Sequence, residues 1–172
     1  GETLAPQGWT TPDQLTNRGT SAGGIGVGRA MTTRPDLFAG VVSREPMASA
    51  IRAEFQQNGP ANIPEFGTSK DERRSKYLYE MDGYFDVVDG TRYPAVLFTT
   101  GMNDPRVDPW QPSKAAARMQ AAGSPNRVLL RVEAAGGHGV GSTRGQRDAE
   151  EADIHAFVFW RAGVPGWQPV GK

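Results

Sequence analysis

Short apolar runs alternate with stretches of helical spacing along most of this chain. Leu37 to Ser43 (Leu-Phe-Ala-Gly-Val-Val-Ser) and Tyr93 to Thr100 (Tyr-Pro-Ala-Val-Leu-Phe-Thr-Thr) are apolar without polar alternation, the pattern of a parallel strand covered on both faces. Arg127 to Glu133 reads as another strand, and Leu15 to Arg18 as a weak one. The spacing of Ile25, Arg29, Ala30 and Met31 predicts a helix over Ala22 to Thr33, with Pro35 just past its end. Ser113 to Ala122 has high helix propensity, with Ser113 as its cap and Gly123 as its stop. A last helix is expected from about Gly145 to Ala162. In between, Pro46 to Glu54 reads as a short helix, Asn58 to Thr68 as irregular, and Lys70 to Met81 as a charged helix.

Strand and helix in alternation predict an α/β fold built on a mostly parallel sheet with flanking helices. In such a sheet, ligands sit at the carboxyl ends of the strands. Three chemically useful residues fall just there: Ser21 after the first strand, Asp104 after the Tyr93 strand, and His138 after the last.

Composition narrows the partners. The 172 residues suit one domain, and 19 Lys and Arg balance 19 Asp and Glu. No basic stripe is available for a phosphate backbone, so nucleic acid is not expected as a ligand. The absence of cysteine excludes disulfides, thiolate zinc sites and a cysteine nucleophile, and is compatible with an oxidising or a reducing compartment. No apolar run approaches the roughly 20 residues needed to cross a bilayer. The chain opens Gly-Glu-Thr, without a basic and apolar leader, so it reads as soluble, with no membrane partner.

A serine hydroxyl becomes a useful nucleophile only when a neighbouring base takes its proton and an acceptor holds that base in the right tautomer. Gly19-Thr20-Ser21-Ala22-Gly23 matches Gly-x-Ser-x-Gly, in which small neighbours permit a strained turn from strand to helix. The turn leaves the Ala22 N–H at the start of a helix, where free donors and the helix dipole favour an oxyanion. Of the two histidines, His155 lies on a helix with Ile154, Phe157 and Val158, which leaves His138 as the base. The order Ser, Asp, His is that of α/β-hydrolases. Such a set needs no metal and no cofactor.

Other readings compete at each position. Asp104 could equally start a turn before Pro105, and Asp108 offers a second acid. Gly23-Gly24-Ile25-Gly26-Val27-Gly28 hints at a phosphate cradle, yet it lacks the third glycine of Gly-x-Gly-x-x-Gly, and no Gly-Lys-Ser/Thr follows. Lys70-Asp71-Glu72-Arg73-Arg74 reads as a solvated helix face.

Taken together, Arg18-Gly19-Thr20-Ser21-Ala22-Gly23-Gly24, Arg34-Pro35-Asp36-Leu37-Phe38, Pro64-Glu65-Phe66-Gly67, Tyr93-Pro94-Ala95, Thr99 to Val107 and Gly137-His138-Gly139 resemble the C-terminal catalytic domain of the prolyl oligopeptidase family of serine peptidases. The resemblance implies an α/β-hydrolase fold and peptide hydrolysis through an acyl-enzyme on Ser21. It places the triad acid on Asp104, with Pro105 where the family has a second aspartate, and makes Arg106 a contact for bound peptide.

The sequence departs from the family at Thr16 and Asn17 in the first strand, and at Ser43-Arg44-Glu45-Pro46-Met47. Only 20 residues precede Ser21, so the resemblance implies that the family's propeller, its first hydrolase strands and the tyrosine supplying a second oxyanion donor lie outside this stretch. Weak activity and self-association through an exposed sheet edge are then expected of the chain by itself. Two other functions share these residues: a carboxylesterase taking small esters with the same triad, and a non-catalytic piece of a larger peptidase.

Overall fold

The computed structural model describes residues 2–139 and 142–170. Four strands form one sheet in the order β1 (Thr16–Thr20), β2 (Gly40–Arg44), β3 (Ala95–Gly101), β4 (Val128–Glu133), and every pairing is parallel. All four therefore end on one side, and the residues after Thr20, Arg44, Gly101 and Glu133 share a single rim.

Alternate side chains of β3 feed two cores, as the two-residue period of a strand requires. Val96 and Phe98 join Val27 and Met31 of α1 (Gly23–Thr33) and Ala115, Ala116 and Met119 of α4 (Trp110–Ala121) on one face. Ala95 and Leu97 join Val42 of β2 and Ile154 and Phe157 of α5 (Arg144–Arg161) on the other. Every residue of β3 is buried, and β2 is buried up to its last residue, so the unbroken apolar runs follow from cover on both faces.

Between β2 and β3 the chain departs from the expectation. Pro46 to Glu54 is not a helix; it contains only a 3₁₀ turn at Ala53–Phe55. Its amides are already committed, since Met47 N–H donates to Ser21 O, those of Ala48 and Ser49 to Gln111 Oε1, and that of Ile51 to Asp82 Oδ2. Asn58 to Thr68, expected to be irregular, instead forms α2 (Gly59–Phe66). Pro60 occupies the first turn, where no N–H is needed.

The charged segment forms α3 (Glu72–Glu80), capped by Asp71, which accepts from the Arg74 N–H at 2.8 Å. α4 begins three residues ahead of Ser113, which lies inside it and donates its hydroxyl to Pro109 O at 2.7 Å instead of capping. α5 opens on a capping box between Thr143 and Gln146, a Thr-x-x-Gln signature that marks the start directly.

Candidate active site

The turn after β1 puts Ser21 in the left-handed region, at φ 56°, a conformation that costs a non-glycine residue about 1–2 kcal/mol. Three backbone bonds hold it there. Ser21 N–H donates to Arg44 O at 3.0 Å, and Ser21 O accepts from Gly24 and Met47 N–H, each at 2.9 Å. The neighbouring glycines are not equivalent. A methyl group at Gly19 would overlap Val27 and the Gly23 carbonyl, and one at Gly24 would overlap Pro46, whereas one at Gly23 would meet nothing.

The structure brings Ser21, His138 and Asp104 together. The Ser21 hydroxyl lies 2.9 Å from His138 Nε2, and His138 Nδ1 lies 2.6 Å from Asp104 Oδ2. A carboxylate can only accept, so Nδ1 carries the proton and Nε2 is free to accept from the serine hydroxyl. Asp104 is fully buried, and the His138 side chain is 8 % exposed. The other Asp104 oxygen accepts from the Arg106 and Val107 N–H groups at 2.8 and 3.0 Å. The acid loop therefore fixes its own carboxylate through bonds that do not involve the histidine.

The acid and histidine loops are joined along their backbones. Met102 and Asn103 N–H donate to Glu133 and Gly136 O at 3.0 and 2.9 Å, and the Asn103 amide donates to Ala134 O at 3.3 Å.

Asp108 lies elsewhere in the network. Its carboxylate accepts from Gln57 N–H and from Trp110 Nε1–H at 3.3 and 3.0 Å, tying α4 to the segment after the 3₁₀ turn. His155 is exposed on α5, with Nδ1 against Glu151 O at 2.6 Å. Ala22 is exposed at the head of α1, and its N–H has no acceptor among the described residues. Arg106 is exposed on the rim.

Glu45 escaped the sequence reading except as part of an unusual segment. Its side chain is 6 % exposed and lies 3.7 Å from His138 Nδ1. Burial pushes its carboxyl above the usual glutamate range, against the opposing charges of His138 and Arg44. Glu45, Asp104 and His138 can each offer an atom to a metal within 4.8 Å of the others. The short Nδ1–Asp104 bond instead organises the cluster around a proton. Beside it, Arg44 pairs with Glu150 at 2.6 Å and Glu151 at 3.3 Å, fastening the end of β2 to α5.

A parallel sheet covered by helices on both faces, with a sharp serine-bearing turn between β1 and α1, is the α/β-hydrolase architecture. Solved structures agree on the fold: a prolyl endopeptidase superposes with a TM-score of 0.90 at 36 % identity, over 95 % of this chain and 24 % of that one. Oligopeptidase B from Leishmania major gives 0.88 at 26 % identity, over 94 % and 23 %.

The chain belongs to the prolyl oligopeptidase family, whose sequence profile matches residues 1–164. Among curated relatives, Protease 2 of Moraxella lacunata is 31 % identical over 97 % of this chain and 25 % of its own length. The prolyl endopeptidase of Elizabethkingia meningoseptica is 32 % identical over 95 % and 24 %. The chain thus spans about a quarter of the length of these relatives.

Proposed function

We propose that this chain is the C-terminal part of a single α/β-hydrolase catalytic domain in a serine peptidase, and that it carries that enzyme's triad. The unbroken hydrogen-bond chain Ser21–His138–Asp104 carries the reading. Ser21 Oγ bonds to the substrate carbonyl carbon as its proton passes to His138 Nε2, and the carbonyl electron pair moves onto oxygen, facing the Ala22 N–H. Collapse expels the amine, which takes the proton from Nε2 and leaves an acyl group on Ser21. Water then attacks that acyl group, giving its proton to Nε2, and Ser21 leaves reprotonated. Asp104 orients the imidazole and stabilises its charged form throughout.

Peptide is the substrate favoured by the relatives named prolyl endopeptidase. Arg106, exposed two residues beyond the acid, is our candidate contact for it. The test is labelling by a fluorophosphonate, followed by intact mass and peptide mapping. One adduct on Ser21 is expected, absent from Ser21→Ala and slowed by at least about 10³-fold in His138→Ala. Labelling that survives Ser21→Ala overturns the assignment. Side-by-side rates on a proline anilide and on p-nitrophenyl acetate then separate a peptidase from an esterase.

A further inference from the structure

Glu45 is the first residue past β2, and its backbone is held at φ 44°, a region that side-chain-bearing residues rarely adopt. Its N–H donates to Thr99 O at 3.0 Å, so β3 fixes this turn. The turn delivers a carboxylate to the same ring nitrogen that Asp104 engages, with Glu45 Oε2 at 3.7 Å and Asp104 Oδ2 at 2.6 Å from Nδ1. The adjoining guanidinium of Arg44 is directed to Glu150 and Glu151. Gly139, next to the histidine, borders this cluster: a methyl group there would be in ordinary contact with an Arg44 guanidinium nitrogen at 3.5 Å and Glu45 Oε2 at 3.7 Å.

Among the described residues the Glu45 carboxylate accepts no hydrogen bond, and a buried carboxylate without a donor is expensive to keep; His138 Nδ1 lies 3.7 Å from it. One N–H cannot serve two short bonds, so Asp104 holds it and Glu45 stands about 1 Å short of ordinary hydrogen-bond reach. Rotation about the glutamate side chain closes that gap.

We infer that Glu45 is a second acceptor for the Nδ1–H of His138, a positioning residue that keeps the imidazole in its working tautomer when Asp104 is removed or turned away. This rests on the triad reading above. When His138 takes the serine proton, both carboxylates face the imidazolium.

The full chain is compared with Asp104→Ala, Glu45→Gln and the double variant, by fluorophosphonate labelling rate and by the proton resonance of His138 Nδ1–H. His155 supplies an internal reference. Asp104→Ala is expected to lose about 10²-fold in rate and to keep the resonance. The double variant should fall about 10⁴-fold, the loss typical of a histidine in the wrong tautomer, and lose the resonance. A double variant that labels as fast as Asp104→Ala, or that retains the resonance, overturns the inference. Should alanine unfold the acid loop, Asp104→Ser repeats the comparison, because a short serine hydroxyl can still accept from the Arg106 N–H and offers no donor to His138 Nδ1. If the parent chain fails to label while the resonance follows the expected pattern, the triad reading fails and the role of Glu45 stands.

Discussion

Gly101, the last residue of β3, lies directly against the carbonyl of Gly136 in the histidine loop, and a methyl group on its Cα would overlap that oxygen and the one that follows it at Gly137. The acid and the base reach each other because the strand between them has no side chain at this point. Gly101→Ala is therefore expected to push the two loops apart, costing about 1–3 kcal/mol and slowing labelling of Ser21 at least tenfold. Gly23→Ala is the control, because the added methyl meets nothing and alanine favours a helix. Urea midpoints and labelling rates for the two variants should move in opposite directions or, for Gly23→Ala, not at all.

Asp82 organises the segment that follows β2. It is fully buried, and its two oxygens accept from the Ser49 hydroxyl at 2.7 Å and from the N–H groups of Ile51, Tyr84 and Phe85 at 3.1, 3.0 and 3.3 Å. Asp82→Ala leaves these donors without a partner, and a loss of about 3 kcal/mol is expected. Because Met47 N–H is bonded to Ser21 O, the labelling rate should fall as well. A urea midpoint equal to that of the parent chain would show that water replaces the carboxylate without cost.

The parts legible in the sequence were those whose reasons are local. The apolar run of β3 declares its burial on two faces, and the small residues from Gly19 to Gly24 declare a tight turn into α1. Chain order and position at strand ends pointed to Ser21 and His138 and to an acid after β3, and the family resemblance chose Asp104 over Asp108. Residues 46–54 do not form the expected helix because their partners are remote. The amides of Ser49 and Ile51 are bonded to side chains 62 and 31 positions away, and no window of neighbouring residues contains that information. Glu45 was missed for a related reason: an acid at the end of an apolar strand looks like a strand terminus until β3 and the histidine loop close over it.

Glu45 also gives the stability a pH dependence. Burial, the largest influence, raises its carboxyl above the ordinary glutamate range, with Glu150 and Asp104 reinforcing the shift and His138 and Arg44 opposing it. A carboxyl raised on folding binds its proton more tightly in the native chain than in the unfolded one. Its contribution is complete below the unfolded value and is lost as the pH climbs through the folded value. Urea midpoints of the parent chain should therefore decline along that limb, and Glu45→Gln should flatten it. Parallel profiles for the two proteins would remove Glu45 as the source.

The proposed peptide contact at Arg106 can be tested apart from the chemistry. Its N–H supports Asp104, but its side chain is exposed and has no hydrogen-bond or ion-pair partner among the described residues. Arg106→Ala keeps the backbone bond and removes only the guanidinium. The expected result on a peptide substrate is a KM raised about tenfold with kcat within about twofold, the signature of lost uniform binding. Labelling by a small fluorophosphonate should be unchanged. A fall in kcat and in labelling rate together would place Arg106 in the support of the acid loop instead.

The open edge of β1 carries the expectation of self-association. Leu15 O and Ser21 N–H both bond toward β2, so by the alternation of a strand the N–H groups of Thr16, Arg18 and Thr20 face the side that has no partner strand among the described residues. An unpaired edge of this kind is a template for a second chain. Proline at position 16 removes an outward donor at the first residue of the strand, where proline is tolerated and no bond to β2 is lost. Sedimentation velocity over a concentration series should show the parent chain associating through this edge and Thr16→Pro shifted toward monomer at equal concentration. Equal association by both proteins, with the variant folded by circular dichroism, would exclude the β1 edge as the contact.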